Sequence, residues 1–363
     1  MSGPRFLVVS PPVDGWQPVP RVTWYMHGGT RIRDIAEGIL GTNVTVEHLD
    51  WTPEPSFADD LDARLPEADA LVVAPWLGFH DQLAFDGARF DRAPNLKALA
   101  GTFDFRLGWI DLDAAAGHGV TLIDTSRTMT PTVAEFGVAI TFALLRDIPW
   151  AIETVRAGEW TKAPMGAGDF VFKDLAECRI GLAGYGSINR HYRRFVHPYG
   201  CPVTTFDPFV SEEDLANDDV GRAGSMAELA SGSDILIVAI PPTPSTLGVI
   251  SAEVIDALAP GSLFVLLSRM AVVEQDALWR RVKAGEIRAA VDVYDPEPPP
   301  ADAWFRRDPN VLPTPHIAGN TQFAHERCFA EACADAARVL GGEPPLNPAT
   351  ERDKRLYDGT LTT

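Results

Sequence analysis

The sequence predicts an α/β protein made of two doubly wound parallel-sheet domains, and three observations carry that prediction. Short apolar runs alternate with helix-compatible stretches in two successive regions of the 363 residues, the pattern of strands joined by crossover helices. The runs of the second region are Val, Ile, Leu and Phe with little polar alternation, as parallel strands covered on both faces require. The length suits two cores of ordinary size better than one.

In the first region the candidate strands are 6–10, 45–49, 70–74, 96–100 and 120–123, with helices at 30–40 and 57–65. Residues 11–29 break the rhythm. They are rich in proline, glycine and aromatics and read as a long ordered loop that covers something. A helix is expected to begin at Thr130, the N-cap, with Pro131 in its first turn, and to run to Leu145. Apolar residues occupy nearly every side of it, so it must be buried all round, either between two domains or against a second subunit.

In the second region the candidate strands are 180–183, 203–206, 235–240, 263–267 and 289–293. Helices fit between them, for example 275–284 closed by Gly285. A last helix over 324–340 ends at Gly341 and Gly342, and the polar tail 343–363 is expected to be disordered over its final dozen residues.

A formal charge of −19 repels a phosphate backbone or an anionic membrane, so neither nucleic acid nor a membrane surface is an expected partner. An anionic small molecule is not excluded, because a site needs only one or two placed cations. The four cysteines, Cys178, Cys201, Cys328 and Cys333, form no C-x-x-C pair and read as reduced structural thiols with no metal site. The apolar run near the start is too short for a signal sequence, and no stretch approaches about 20 apolar residues. The expected location is the cytoplasm.

The strand at 180–183 runs into Gly184-Tyr185-Gly186-Ser187-Ile188-Asn189, then a helix, then a strand ending at Phe206-Asp207. This is the layout of a dinucleotide site. Gly184 permits the tight turn, and Gly186 lets the backbone approach a pyrophosphate seated on the helix N-terminus. Asp207 accepts from the ribose hydroxyls of NAD and repels the extra phosphate of NADP. Asn189 departs from the small residue usual at the third position. Arg190 and Arg193 read as solvated arginines on the helix face.

Three apolar runs of the second region end on polar residues: Arg269, then Asp292 with Glu297 five residues on, then His316. Past the carboxyl ends of parallel strands such groups converge on a ligand crevice. Arg269 offers a planar fork for a carboxylate. His316 is suited to proton transfer near neutrality, and Glu297 is suited to orient its ring. Together they make a set able to reduce a 2-oxo acid or oxidise a 2-hydroxy acid.

At these residues the sequence resembles the D-isomer-specific 2-hydroxyacid dehydrogenase family. The matching stretches are 181–188, 235–250 (ILIVAIPPTPSTLGVI), 267–278, 290–299 (AVDVYDPEPP) and 310–321 (NVLPTPHIAGNT), with weaker likeness over 96–145. The resemblance implies Rossmann-like and flavodoxin-like domains with an active-site cleft between them. Residues 128–317 would bind NAD, and 1–127 rejoined by 318–363 would bind substrate. It implies Arg269, Glu297 and His316 as the catalytic set, and Asp292 near the nicotinamide carboxamide. It extends the cofactor-binding set beyond Gly184, Gly186 and Asp207 to Ser187, Ile188, Pro241, Thr246, Ser268 and Gly319. It also implies a homodimer built on the nucleotide domain and a small 2-hydroxy or 2-oxo acid substrate of the glyoxylate or hydroxypyruvate kind.

The departures bear on substrate. Where the family carries a glycine-rich carboxylate turn, this chain has bulky residues over 100–109, and Arg106 is a candidate to replace some of that function. Trp16, Trp24, Tyr25 and Trp76 are candidates to line the pocket. Glu297 stands where the family's formate dehydrogenases carry an amide, which sets them aside. The absence of a module after residue 342 argues against an allosteric phosphoglycerate dehydrogenase. Two alternatives stay open, an NAD-sensing corepressor and a dehydrogenase of another small anion such as phosphite.

Overall fold

The computed structural model describes residues 3–13, 28–75, 77, 81–103, 109–160, 173–358 and 360. The chain divides into two compact units, Met1–Met129 with Asn320–Leu361, and Thr130–Gly319. The sequence placed the junctions at 127/128 and 317/318.

The first unit holds a five-stranded sheet of Arg5–Ser10 (β1), Thr45–Asp50 (β2), Ala70–Val73 (β3), Ala98–Gly101 (β4) and Thr121–Asp124 (β5). Its order is β2-β1-β3-β4-β5, every pairing parallel. The order reverses beside β1, which places a topological switch point at the carboxyl ends of β1 and β3. The helix Gln322–Leu340 returns to this sheet and buries Phe329, Ala332, Cys333 and Ala336 in the same core as Val8, Leu71 and Leu99. Its N-cap is Thr321, whose hydroxyl accepts the Ala324 N–H at 3.2 Å.

The tail differs from expectation. Buried Asp335 accepts the N–H groups of Leu346 and Asn347 at 2.9 and 2.7 Å, which leads Pro348 onto the edge of β5 opposite Ile123. Beyond it Glu351–Tyr357 is a helix, where the sequence suggested disorder. The polar composition that suggested disorder is that of a helix capped by Thr350, whose hydroxyl accepts the Asp353 N–H.

The second unit holds a seven-stranded parallel sheet: Ile180–Ala183 (β6), Val203–Phe206 (β7), Gly221–Arg222 (β8), Ile235–Val238 (β9), Leu263–Leu266 (β10), Arg288–Val291 (β11) and Val311–Pro313 (β12). The order is β12-β11-β10-β9-β6-β7-β8. From β6 the chain moves outward to β8, then crosses back to β9 on the other side. The switch point therefore lies at the carboxyl ends of β6 and β9. β6 and β7 coincide with the expected strands, β9, β10 and β11 are trimmed or shifted by one or two residues, and β12 forms in the apolar run before His316, which is not among the candidate strands. The two-residue β8 was not readable, being too short and too polar to show a pattern.

The helix Thr130–Leu145 buries Ala134, Gly137, Ile140, Thr141 and Leu144. With the preceding turn it runs 21 residues from Thr125, long and apolar enough by composition to span a bilayer. One face packs with Ile180, Tyr192 and Leu267, while Val133, Phe136 and Phe142 are only partly covered, so within one chain the helix is not buried all round. Its end is set by a buried ion pair that joins Arg288 to Asp147, both under 4% exposed. Arg288 also donates to the Leu144 carbonyl at 3.2 Å and lies 4.5 Å over the Trp150 ring. Removing either partner would strand a buried charge. A further helix, Ile148–Arg156, follows Asp147.

All four cysteines are free and buried. Burial pushes the Cys178 thiol up to about 11 and the Cys328 thiol up to about 12, so both stay protonated and unreactive near neutrality.

Candidate active site

Asp207, Arg269, Asp292 and His316 lie just past the carboxyl ends of β7, β10, β11 and β12 in the seven-stranded sheet, with Glu297 further along the connection that follows β11. At the end of β6, Gly184 has φ +79°, a conformation in which side-chain-bearing residues are strained, and a Cβ there would sit 3.1 Å from Ile240. Gly186 precedes the helix Ser187–Val196, and a Cβ on it would meet nothing within 4 Å. The space beside Gly186 is open, as close approach of a ligand to the backbone demands. The leading N–H groups of the helix, from Ser187 and Ile188, open toward it. The Ser187 hydroxyl lies 2.8 Å from that of Thr130.

Asn189, the off-pattern residue, is fully buried. Its amide donates to the carbonyls of Ala183 and Gly184 at 3.2 and 2.6 Å. Hydrogen bonds thus tie helix to strand where the usual motif relies on a small side chain. Asp207, after β7, accepts the N–H groups of Tyr185 and Phe209 at 2.7 and 2.8 Å. The carboxylate is thereby fixed at the tip of the glycine turn, with lone pairs remaining for hydroxyl donors.

Arg190 and Arg193 are not the solvated arginines the sequence suggested. Arg190 lies 4.7 Å over the Tyr185 ring and pairs with Asp214 and Asp218. Arg193 is buried and pairs with Asp219 and His197. Both are engaged with partners on the far side of the turn, a role that spacing alone does not distinguish from exposure.

At the end of β9, the Thr246 hydroxyl donates to the Pro241 carbonyl and accepts the Thr243 N–H, at 2.6 and 2.7 Å, closing the turn that holds both residues. At the end of β10, Ser268 is buried and its hydroxyl has no partner among the described residues. Its carbonyl accepts from Arg269 at 2.8 Å.

The sheet delivers the acid–base group through Asp292. This carboxylate, 1% exposed, accepts the Thr314 hydroxyl at 2.6 Å and the N–H groups of Ile317 and Ala318 at 2.9 Å each. Those bonds hold the segment around His316, whose backbone has φ +58°. Asp292 is thus a loop holder in this structure, a role that its place in the sequence does not reveal. The neighbouring Gly319 closes the segment at the unit boundary.

His316 Nδ1 lies 2.6 Å from Glu297 Oε1, with both side chains partly exposed. Burial alone would raise the Glu297 carboxyl. The hydrogen bond and charge of His316, together with the charge of Arg269, outweigh burial and hold Glu297 below the usual carboxylate range. Arg269, Glu297 and His316 therefore share one electrostatic neighbourhood. An imidazole bound through Nδ1 to a carboxylate has a fixed tautomer and presents Nε2 for proton transfer.

In the first unit, the carboxylate of Asp124 accepts the N–H of Phe103 at 3.2 Å and that of Ser126 at 3.0 Å. Thr102 and Thr125 hydroxyls meet at 3.2 Å, and the Phe103 ring folds back on Gly101. The root of the atypical loop is therefore pinned. Arg106, Trp16, Trp24, Tyr25, Trp76 and most of the 11–29 segment lie outside the described residues.

The residues fit NAD: an open glycine turn at a helix N-terminus, a fixed carboxylate for ribose hydroxyls, and the orphaned buried hydroxyl of Ser268. By fold and site this is a dinucleotide-binding α/β protein. Residues 138–318 match the model of the D-isomer specific 2-hydroxyacid dehydrogenase NAD binding domain. The chain is 29% identical over 290 residues to the D-3-phosphoglycerate dehydrogenase of Archaeoglobus fulgidus, which covers 80% of this chain and 53% of that protein. It thus spans about half the length of that curated relative. It is 28% identical over 300 residues to the hydroxypyruvate reductase of Thermotoga maritima, covering 81% of this chain and 92% of that one. A solved D-lactate dehydrogenase from Treponema pallidum shares the fold, with a TM-score of 0.72 at 22% identity over 95% of this chain and 99% of its own. The chain belongs to the D-isomer-specific 2-hydroxyacid dehydrogenase family, with its NAD-binding domain over 138–318.

Proposed function

We propose that the protein is an NAD-dependent oxidoreductase that interconverts small 2-oxo and 2-hydroxy acids of the D series, with glyoxylate and hydroxypyruvate as the first candidates. The observation that carries this reading is the His316–Glu297 contact of 2.6 Å within the electrostatic reach of Arg269. Bound NADH supplies the hydride for the carbonyl carbon, and NAD accepts it in the reverse direction. Arg269 holds the substrate carboxylate through its fixed fork. His316, protonated, donates from Nε2 to the carbonyl oxygen as it gains negative charge, while Glu297 stabilises the imidazolium through Nδ1. In oxidation neutral His316 takes the hydroxyl proton at the same atom.

The apolar helix pair supports a homodimer. Ile148, Ile152 and Val155 are 44%, 44% and 57% exposed, and Val133, Phe136 and Phe142 are only partly covered. A second copy of this face would bury them. The four buried cysteines, none of them paired, support a cytoplasmic location.

The test is loss of NADH absorbance with a panel of 2-oxo acids from glyoxylate to phenylpyruvate, with NADPH in parallel. Turnover of any member, faster with NADH, is the expected result. Silence across the panel, with NADH binding shown by fluorescence, would overturn the catalytic reading in favour of an NAD sensor.

A further inference from the structure

Glu297 sits on the connection between β11 and β12, and that connection has an unusual construction. Pro298, Pro299 and Pro300 follow it directly. Three consecutive prolines contribute no N–H group, so the run itself brings no backbone donors, although the Tyr294 backbone hydrogen-bonds the Glu297 carboxylate. The donors come from further along the same connection, where the Ala303 N–H reaches the Pro300 carbonyl at 3.1 Å. Arg306 donates through Nη2 to the Pro299 carbonyl at 2.7 Å and through Nε to the Pro300 carbonyl at 2.8 Å.

The neck of the same loop is closed by rings. Tyr294 and Phe305 stack at 5.5 Å with planes 7° apart. Phe305 stacks in turn on Trp279, at 4.8 Å and 10°, which roots the loop on the helix Gln275–Lys283. The Tyr294 hydroxyl donates to the Val291 carbonyl at the end of β11, at 2.8 Å. The neck is thus fixed to both the sheet and a helix, and the arginine fork sets the path of the proline run within it.

We infer that Arg306 is a positioning residue for Glu297: its guanidinium, by holding the carbonyls of Pro299 and Pro300, keeps the carboxylate in contact with His316. It touches no substrate. The inference rests on the acid–base reading of His316 and Glu297 given above. A lysine at 306 keeps the charge and much of the stem but loses the planar fork that reaches two successive carbonyls.

The test uses the full chain and a cycle of R306K, R306A, E297Q and R306A/E297Q. R306A should lower kcat roughly 10-fold or more, as loosened geometry around a reacting group does. KM and the affinity for NADH, read by fluorescence, should stay within about twofold. R306K should behave as R306A, and its retained cation guards against a loss caused by misfolding or by charge alone. The double variant should be no slower than E297Q, because Arg306 acts only through Glu297.

A second readout needs no substrate. The low-field proton resonance of the His316–Glu297 hydrogen bond should be absent in E297Q and weakened or broadened in both Arg306 variants. An unchanged kcat and resonance in R306A, or losses that multiply in the double variant, would overturn the inference. If E297Q itself turns over like the parent, the acid–base reading fails instead, and the two failures are thereby told apart.

Discussion

Two aspartates, one in each unit, hold a loop that follows a neighbouring strand. Asp292, just past β11, gathers the segment after β12. Asp124, at the end of β5, gathers the segment after β4. Asp292 is sealed from solvent and accepts three donors. Asp124 is half-buried and accepts from Phe103 and from the N–H and hydroxyl of Ser126. The same device thus serves two ends. In the NAD-binding unit it fixes an acid–base group whose position must be held closely. In the first unit it fixes the backbone at Phe103, the root of the 100–109 loop. On the reading proposed above, the first of these bears on the reaction and the second on substrate choice.

The sharpest way to break this division is His316→Ala. If the second unit carries the proton transfer, kcat falls by roughly 10²- to 10⁴-fold, while NADH affinity by fluorescence is nearly unchanged. Unaltered turnover would remove His316 from the reaction. The next test sets the two aspartates against each other. Asp292→Asn keeps the shape but replaces an acceptor pair with one acceptor and one donor facing N–H groups, so kcat should drop roughly 10- to 100-fold. Asp124→Asn should instead raise KM for the 2-oxo acid with a smaller effect on kcat. Equal effects of the two would erase the distinction.

A smaller effect is expected from Asp207→Ala. Losing the fixed carboxylate should weaken NADH binding by about 1 kcal/mol and narrow the preference over NADPH. An unchanged ratio of the two affinities would show that Asp207 only braces the turn.

The smallest effect lies away from the site. Burial pushes Asp234 up, but hydrogen bonds from Arg179 and Lys173 outweigh it and hold the carboxyl at about 2. Its folded value lies below the unfolded one of about 3.9. The stabilisation is therefore present above pH about 4 and is lost as pH falls toward 2. With solvent screening part of the interaction, Asp234→Asn should cost about 1 kcal/mol in neutral urea melts, a difference that shrinks on acidification. A gap that persists at low pH would point to lost packing instead.

Much of the fold and of the site is legible in the sequence. Apart from β8, most strands of both sheets fall in apolar runs, and the glycine turn, Arg269, Asp292 and His316 each sit where a run stops, with Glu297 five residues past Asp292. What stays hidden has physical causes. Asn189 reads as a defect because its compensation is a pair of bonds to carbonyls, which leave no trace in residue type. The part Asp292 plays in holding the His316 segment stays hidden because residue order does not say which donors face its carboxylate. The helix Glu351–Tyr357 escapes notice because a polar tail and a polar exposed helix share one composition.

His316 occupies a backbone conformation, φ +58°, that favours glycine or asparagine over other residues. Holding a histidine there costs roughly 1 kcal/mol or more of folding stability. His316→Asn is expected to leave the folded segment at least as stable in urea melts while removing the proposed proton donor. On the reading proposed above, His316 carries a backbone cost that the shape of the segment alone does not require, set against the proton it would move.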